Sequence, residues 1–417
     1  MSGPRLLAIM GSGETSPTMA KTHRDLLARV AAVGPAVLLD TPFGFQENAS
    51  DIAAKAVEYF RESVGATMEV ASFRSAQVEP LARETALAGL RAGGYVFAGP
   101  GSPSYALRQW RDSLVPSVLS DKVRPGGTGG CVTFASAAAL TLGVATVPVY
   151  EIYKVGEDPQ WLEGLDLLSV AAGLRAAVIP HYNNAEGGNH DTRYCYLGER
   201  RLQLLESALP EGAFVLGVDE HTGLVLDLDA GRASVVGLGV VTVRRDGQST
   251  VFPSGTELGI EELGSGSGSG VGSAPRTAPT VPQRAAARSP LLDTVAGLES
   301  EFAAALADRD PGAAVAAALA LDDALVAWSR DTLQSDEMDR ARGALRSMIV
   351  RLGELAAAGT KDPAELVGPF VEALLHQRSA ARDGQRWADA DAVRDRLVAL
   401  GVEVNDGPEG TTWRLLS

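Results

Sequence analysis

Short apolar runs alternate with longer amphipathic stretches through the first half of the chain. The runs at 6–10, 36–39, 67–71, 95–98, 132–134, 176–179 and 213–218 are β-branched or otherwise apolar and have the length of buried strands. Between them, 19–33, 49–63 and 80–92 place apolar residues at helical spacing, as a helix with one buried face requires. This alternation predicts an α/β fold, a parallel sheet flanked by helices. Over 223–253 consecutive strands are broken at Asp229-Ala230-Gly231 and Asp246-Gly247, turn chemistry that predicts an antiparallel edge.

The pattern then stops. Gly264-Ser265-Gly266-Ser267-Gly268-Ser269-Gly270 has no side chains to bury, and a Pro-, Ala- and Arg-containing stretch follows to Pro290. Beyond it the chain is rich in Ala, Leu, Arg and Asp, and 303–307, 313–328, 336–358 and 363–400 read as helices. The expected organisation is an α/β domain over 1–262, a flexible linker over 263–290 and a separate, mainly helical domain over 291–417.

Charge narrows the partners. The chain carries 37 basic and 52 acidic residues, a net −15, which disfavours binding to nucleic acid or anionic membranes by bulk charge. The stretch 285–417 alone holds 14 basic and 22 acidic residues, so it is not a basic module either. Two cysteines, Cys131 and Cys195, are too few for a disulfide framework and lack the paired spacing of a structural zinc site. No run reaches the roughly 20 unbroken apolar residues of a membrane span, and the apolar start at 6–10 is too short for a signal peptide. The expectation is a cytoplasmic protein, without membrane attachment or a cofactor, and with homo-oligomerisation open.

Ser136 falls between the strand-like Cys131-Val132-Thr133-Phe134 and the helix-like Ser136-Ala137-Ala138-Ala139-Leu140. A strand-to-helix turn exposes a hydroxyl at the sheet's carboxyl edge, the geometry of a nucleophile elbow. His181 and Glu220 each follow an apolar run in the same manner, at the edge where open α/β sheets place their ligands. Serine, histidine and glutamate are the types nucleophilic catalysis needs: a weak nucleophile, a base to take its proton, and a carboxylate to hold the imidazolium. The Gly-rich turn Gly99-Pro100-Gly101-Ser102-Pro103 suggests an oxyanion hole from the N–H groups of Gly101 and Ala137.

At these residues the chain resembles the dipeptidase E and cyanophycinase family of serine peptidases. The resemblance rests on Phe97-Ala98-Gly99-Pro100-Gly101-Ser102, the Ser136 turn, Ile179-Pro180-His181-Tyr182-Asn183-Asn184-Ala185 and Gly217-Val218-Asp219-Glu220, and covers about 5–255. It implies a class I glutamine amidotransferase-like fold, Ser136 as nucleophile, His181 as base, Glu220 as third member, and short peptides or isopeptides bearing an aspartyl residue as substrates. One departure stands out. The family's Gly-x-Ser-x-Gly is here Phe134-Ala135-Ser136-Ala137-Ala138, and a phenyl ring two residues before the serine favours a relaxed, weaker elbow.

Other readings attach to neighbouring residues. Glu14, Asn183, Asn184 and His190 are candidates to line a substrate pocket, together with Asn189, Asp191 and Arg193, although loop polarity accounts for them as well. His221 competes with Glu220 as a partner, but strand alternation points it the other way. Cys131 is a rival nucleophile for an amidotransferase, placed at a strand start where a buried apolar role fits better. Gly11-Ser12-Gly13-Glu14-Thr15-Ser16 lacks the spacing of a phosphate loop. Glu186, His190 and Asp191 form a weak metal signal, and no metal is expected.

Past the linker, the helix at 378–397 and the segment 401–413 resemble the C-terminal end of cysteinyl-tRNA synthetases, with Leu321-Asp322-Asp323-Ala324-Leu325 in a region similar to their helical anticodon-binding part. The synthetase's nucleotide-binding signature and zinc ligands have no counterpart, so aminoacylation is not expected. The resemblance implies tRNA or RNA contact through Arg378, Arg382, Arg386 and Arg394, against the alternative of a helical appendage for packing or assembly. The function expected for the whole chain is a serine hydrolase acting on a small peptide, isopeptide or amide. The alternative is a catalytically silent ligand-binding scaffold joined to an RNA-binding or assembly domain.

Overall fold

The computed structural model describes residues 3–185, 190–265, 289–308, 310–329, 331, 337–359, 363–407 and 410–416. Most of the linker expected at 263–290, and Glu186 and Asn189, lie outside the described residues. The chain divides into two compact units, Met1–Gly297 with Ala320–Arg342, and Leu298–Leu319 with Gly343–Ser417.

In the first unit the opening strands are β1 (Arg5–Met10), β2 (Ala36–Leu39), β3 (Met68–Ala71), β4 (Tyr95–Ala98) and β5 (Gly130–Ala135). Two-residue strands β6 (Ala145–Thr146) and β7 (Leu162–Glu163) pair with each other. Then come β8 (Ala176–Ile179), β9 (Phe214–Val218), β10 (Thr222–Asp227), β11 (Arg232–Gly237), β12 (Val240–Arg245), β13 (Gln248–Pro253) and β14 (Glu257–Gly259). The helices are α1 (Ala20–Val30), α2 (Ala49–Tyr59), α3 (Pro80–Ala92), α4 (Pro103–Trp110), α5 (Val115–Val123), α6 (Ser136–Leu140), α7 (Leu167–Ala172), α8 (Gly198–Ser207) and α9 (Ile260–Ser265).

The α/β class read from the sequence is the fold observed, but the strands form two principal sheets rather than one. An eight-stranded sheet has the order β14-β11-β10-β1-β5-β4-β2-β3, parallel from β1 to β3 and antiparallel through β10, β11 and β14. A second sheet, β13-β12-β9-β8, takes the strands that precede His181 and Glu220. Apolar runs carry no information on which neighbour they pair with, so the partition was not legible. It is set by the three residues between β9 and β10, where His221 adopts φ 52° and the chain leaves one sheet for the other. Asp219 Oδ2 accepts from Val240 N–H at 3.1 Å and Thr222 Oγ1 from Gly239 N–H at 2.8 Å, which tie the crossing together.

Alternation along the strands sends side chains to two cores. Leu7, Ile9, Val37, Val96, Val132 and Phe134 pack on one face with residues of α3 and α5. Leu6, Ala8, Leu38, Tyr95, Phe97 and Cys131 pack on the other, with residues of α1 and α2. Register places Met10 beside Ala135, and Ala98 beside Phe134, so the ends of β1, β5 and β4 open onto one edge.

The C-terminal half contributes α10 (Pro290–Ala307), α11 (Pro311–Trp328), α12 (Glu337–Gly359), α13 (Pro363–Asp383) and α14 (Trp387–Ala399), followed by the hairpin β15 (Val402–Gly407) and β16 (Gly410–Leu415). The single helix expected over 363–400 is two helices, because Gln385 takes φ 56° after Gly384 and reverses the chain. Val371 of α13, Leu397 of α14, and Val402 and Val404 of β15 form a small core, with Trp413 against it. α11 has 18 residues and a mean hydropathy of 1.4, long and apolar enough to cross a bilayer by those measures, although Asp322 and Asp323 interrupt it.

Candidate active site

Ser136 opens α6 directly after β5 with φ 49°, a left-handed conformation that side-chain-bearing residues adopt only at a cost of order 1–3 kcal/mol. The turn throws the hydroxyl clear of the sheet. Phe134 does not cover it: the ring is fully buried in the core beside Trp110, with centroids 5.8 Å apart. The departure at the elbow is therefore absorbed by packing beneath the sheet, and Ser136 remains partly accessible.

His181 follows β8, also in the left-handed region at φ 48°, and is 8% exposed. Its carbonyl accepts the N–H groups of Asn184 and Cys195, both at 3.1 Å, while Tyr182 N–H donates to Val218 O on β9. Gly217 lets the Tyr182 ring lie across that strand, since a Cβ there would stand 2.4 Å from the ring. So pinned, the imidazole reaches both ways. Nε2 lies 3.0 Å from Ser136 Oγ, and Nδ1 lies 2.9 Å from Glu220 Oε1. A carboxylate at Nδ1 fixes the tautomer with its proton there, leaving Nε2 to accept from the serine hydroxyl.

Glu220 is held by two neighbours. Asn184 Nδ2 donates to its Oε1 at 3.1 Å, and Asn183 Oδ1 accepts its backbone N–H at 2.8 Å. Burial pushes its carboxyl up, but the hydrogen bond and charge of His181 and the Asn184 amide outweigh that, and the net pKa lies below the ordinary 4.5. The two asparagines, expected from the sequence to line a pocket, both hold Glu220. Their polar side chains were visible in the sequence; their partner was not.

His221 is not an alternative partner for His181. Its Nδ1 sits 3.2 Å from Ser16 Oγ and 3.0 Å from Thr18 Oγ1. Cys131 is buried, its Sγ 3.3 Å from Thr133 Oγ1, and burial raises its thiol to about 12. An un-ionised thiol inside the sheet is no nucleophile. Asp191 pairs with Arg193 at 2.7 Å on the surface, and no group of three metal-ligating side chains occurs among the described residues.

Gly101 has φ 135°, and a Cβ on it would lie 2.0 Å from Pro42 O, so the turn after β4 admits only glycine. Ala138 N–H donates to Gly99 O at 3.2 Å, which ties this turn to the start of α6. Beside His181 stands Tyr196, ring centroids 6.4 Å apart, with Tyr153 5.0 Å beyond it and His190 stacked on Tyr153 at 6.5 Å. The two tyrosines had no signal in the sequence, since Tyr153 comes from a short helical turn at Glu151–Val155 and Tyr196 from the loop before α8. His190 is exposed and lies with them.

In the second unit Arg378 is 4% exposed, and both terminal nitrogens reach the Asp406 carboxylate at 2.8 and 2.7 Å. Arg382 joins the same carboxylate at 2.9 Å. Arg378 is therefore a hairpin anchor and not a surface contact for RNA. Arg386 pairs with Asp389 at 3.2 Å, and it and Arg394 are exposed.

Residues 367–414 match the family model described as the cysteinyl-tRNA ligase anticodon binding domain. Cysteine–tRNA ligase of Haemophilus influenzae is 36% identical over 90 residues, 20% of this chain and 19% of that protein. The Paenarthrobacter aurescens ligase is 35% identical over 120 residues, 27% and 25% of the two chains. The Sodalis glossinidius ligase reaches 57% over 45 residues, 11% and 10%. The chain thus spans a quarter or less of the length of these curated relatives. Among solved structures, the crystal structure of a peptidase from an acI-B1 Actinobacterium aligns with a TM-score of 0.49 and 18% identity, over 61% of this chain and 97% of that one.

Proposed function

We propose that the α/β half is a serine hydrolase that cleaves a small peptide, isopeptide or amide through an acyl-enzyme. The observation that supports this most is the unbroken run of hydrogen bonds from Ser136 Oγ through His181 to Glu220, at 3.0 and 2.9 Å. In the reaction, His181 Nε2 takes the Ser136 proton as Oγ attacks the carbonyl carbon. Glu220 stabilises the imidazolium without taking its proton, consistent with a carboxyl whose pKa is depressed. The N–H groups of Gly101 and Ala137 are assigned to the oxyanion. Among the described residues, neither donates to a backbone carbonyl outside the regular elements. His181 then protonates the leaving amine, and water attacks the ester to regenerate the serine.

Turnover of a panel of dipeptides, isoaspartyl dipeptides and aminoacyl p-nitroanilides tests the reading. The wild-type chain should hydrolyse at least one member, and Ser136→Ala should lose about 10³-fold or more of kcat. Unchanged turnover in Ser136→Ala would reject it.

For the module over 367–414 we propose contact with tRNA, supported by the match to an anticodon binding domain. With Arg378 buried against Asp406, the contact falls to exposed Arg382, Arg386 and Arg394. Retention of the full chain on immobilised cysteine tRNA should fall as salt rises and weaken in Arg386→Ala/Arg394→Ala. Equal retention on unrelated RNA would count against specific recognition.

A further inference from the structure

The turn after β1 is polar yet enclosed. Ser12, Glu14 and Thr15 are each 1% exposed, and Ser12 Oγ, Glu14 Oε1 and Thr15 Oγ1 have no hydrogen-bond partner among the described residues. An unsatisfied buried oxygen costs about 1–3 kcal/mol, and more when it belongs to a carboxylate. Three on one turn is a concentrated cost, and it falls beside the nucleophile: β1 runs parallel to β5 with Met10 opposite Ala135, the residue before Ser136.

The Glu14 carboxyl is placed, not loose. His23 Nε2 lies 2.7 Å from Glu14 O, while His23 Nδ1 lies 2.7 Å from Tyr95 Oη. Burial lowers the pKa of His23 to about 4, so at neutral pH this ring is uncharged and fixes the main chain without supplying a counter-charge. At the other end, Glu14 Oε1 lies 3.0 Å from the position a Cβ on Gly99 would occupy, against the turn that leads to Gly101. The other carboxylate of the site, Glu220, already has its cation partner in His181 when that ring is protonated. Glu14 has no ion-pair partner among the described residues, and burial raises its pKa, tempered by its own backbone N–H and by the charge of His181.

We propose that Glu14 receives an ammonium group of the substrate, so that the compounds bound beside Ser136 are short peptides or amides carrying a free amine. This deepens the hydrolase reading and rests on it for the identity of the reacting serine. An ammonium offers three N–H donors and a full positive charge, and the turn offers three unpartnered acceptors, one of them a carboxylate. The same enclosure that makes an empty Glu14 costly makes a pair formed there strong, because little water competes. The amine belongs either to the first residue's α-carbon or to a lysine-type side chain.

The experiment is calorimetric titration of the full-length chain carrying Ser136→Ala, so that binding is read without turnover. Three probes are used: Ala-Ala amide, N-acetyl-Ala-Ala amide and N-acetyl-Ala-Lys amide. At least one ammonium-bearing probe should bind tenfold or more tightly than the doubly blocked N-acetyl-Ala-Ala amide, and which one does so identifies the source of the amine. Adding Glu14→Gln should reduce that preference below twofold. Should Glu14→Gln not fold, the order of the three probes decides alone. Equal affinity for all three, no measurable binding of either ammonium-bearing probe, or a preference that survives in Glu14→Gln would overturn the proposal. Fluorophosphonate labelling of the unmutated chain reports separately on the nucleophile: absent labelling with the probe order intact removes the hydrolase and leaves the cation site, and the reverse pattern removes the cation site alone.

Discussion

Asn184 Nδ2 donates to Glu220 Oε1 at 3.1 Å, the same oxygen that His181 Nδ1 contacts at 2.9 Å. A fully buried amide from the loop after β8 thus fixes a carboxylate that follows β9. Removing it in Asn184→Ala leaves Glu220 free to rotate away from the imidazole. Misplacement of a catalytic group by an ångström costs about 10²-fold, so kcat should drop by about ten- to a hundredfold with KM little changed. Steady-state kinetics on any substrate found in the panel checks this, and a drop confined to KM would contradict it.

Glu220 also makes stability depend on pH in a definite direction. Its folded pKa is depressed below the ordinary 4.5, so the folded protein holds on to its carboxylate at a pH where the unfolded chain has begun to take up a proton. The stabilisation is complete above the ordinary range and disappears as pH falls through the folded value. Glu220→Gln lacks this contribution. The melting-temperature gap between wild type and Glu220→Gln should therefore narrow as the buffer is taken from about pH 6 toward pH 3. A gap that widens on acidification would reverse the sign.

Both cysteines are buried, and burial raises each thiol to about 12. Iodoacetamide at neutral pH should leave the folded protein unmodified and its activity intact, while both residues alkylate in denaturant. Mass spectrometry reads the result. Rapid loss of activity on modification of Cys131 would restore the thiol as nucleophile.

In the C-terminal module, Asp406 receives Arg378 through two hydrogen bonds and Arg382 through one. Asp406→Asn strands the buried Arg378 without a counter-charge. Breaking a fully buried pair costs about 3–5 kcal/mol, and the partial exposure of this carboxylate reduces that to about 1–3 kcal/mol. Hydrogen exchange of the full chain should show faster exchange across Val402–Gly407 and Gly410–Leu415 with the large sheet unaffected.

Much of this was legible from residue order. Short apolar runs and helical spacing marked β2, β4, β8 and α3 to the residue, and strand-end logic singled out Ser136, His181 and Glu220, which the fold brings into hydrogen-bond contact. Pairing between distant strands was not legible, because an apolar run fits either sheet. The outward turn at Gln385 was missed since a residue other than glycine takes the left-handed conformation there. Phe134 looked like an obstacle beside the serine, and only the positive φ of Ser136 reveals that the two side chains part company. Asn183, Asn184 and Arg378 were noticed as polar groups, but a sequence does not say whether a polar group faces a ligand or another side chain.

Intact-protein mass spectrometry after exposure to a fluorophosphonate measures the central claim most directly. The wild-type chain should gain one phosphonyl adduct, located by fragmentation to Ser136, and His181→Ala should gain it far more slowly because nothing then takes the serine's proton. A chain that stays unmodified, or that carries the adduct on another serine at a rate indifferent to His181, would contradict the assignment.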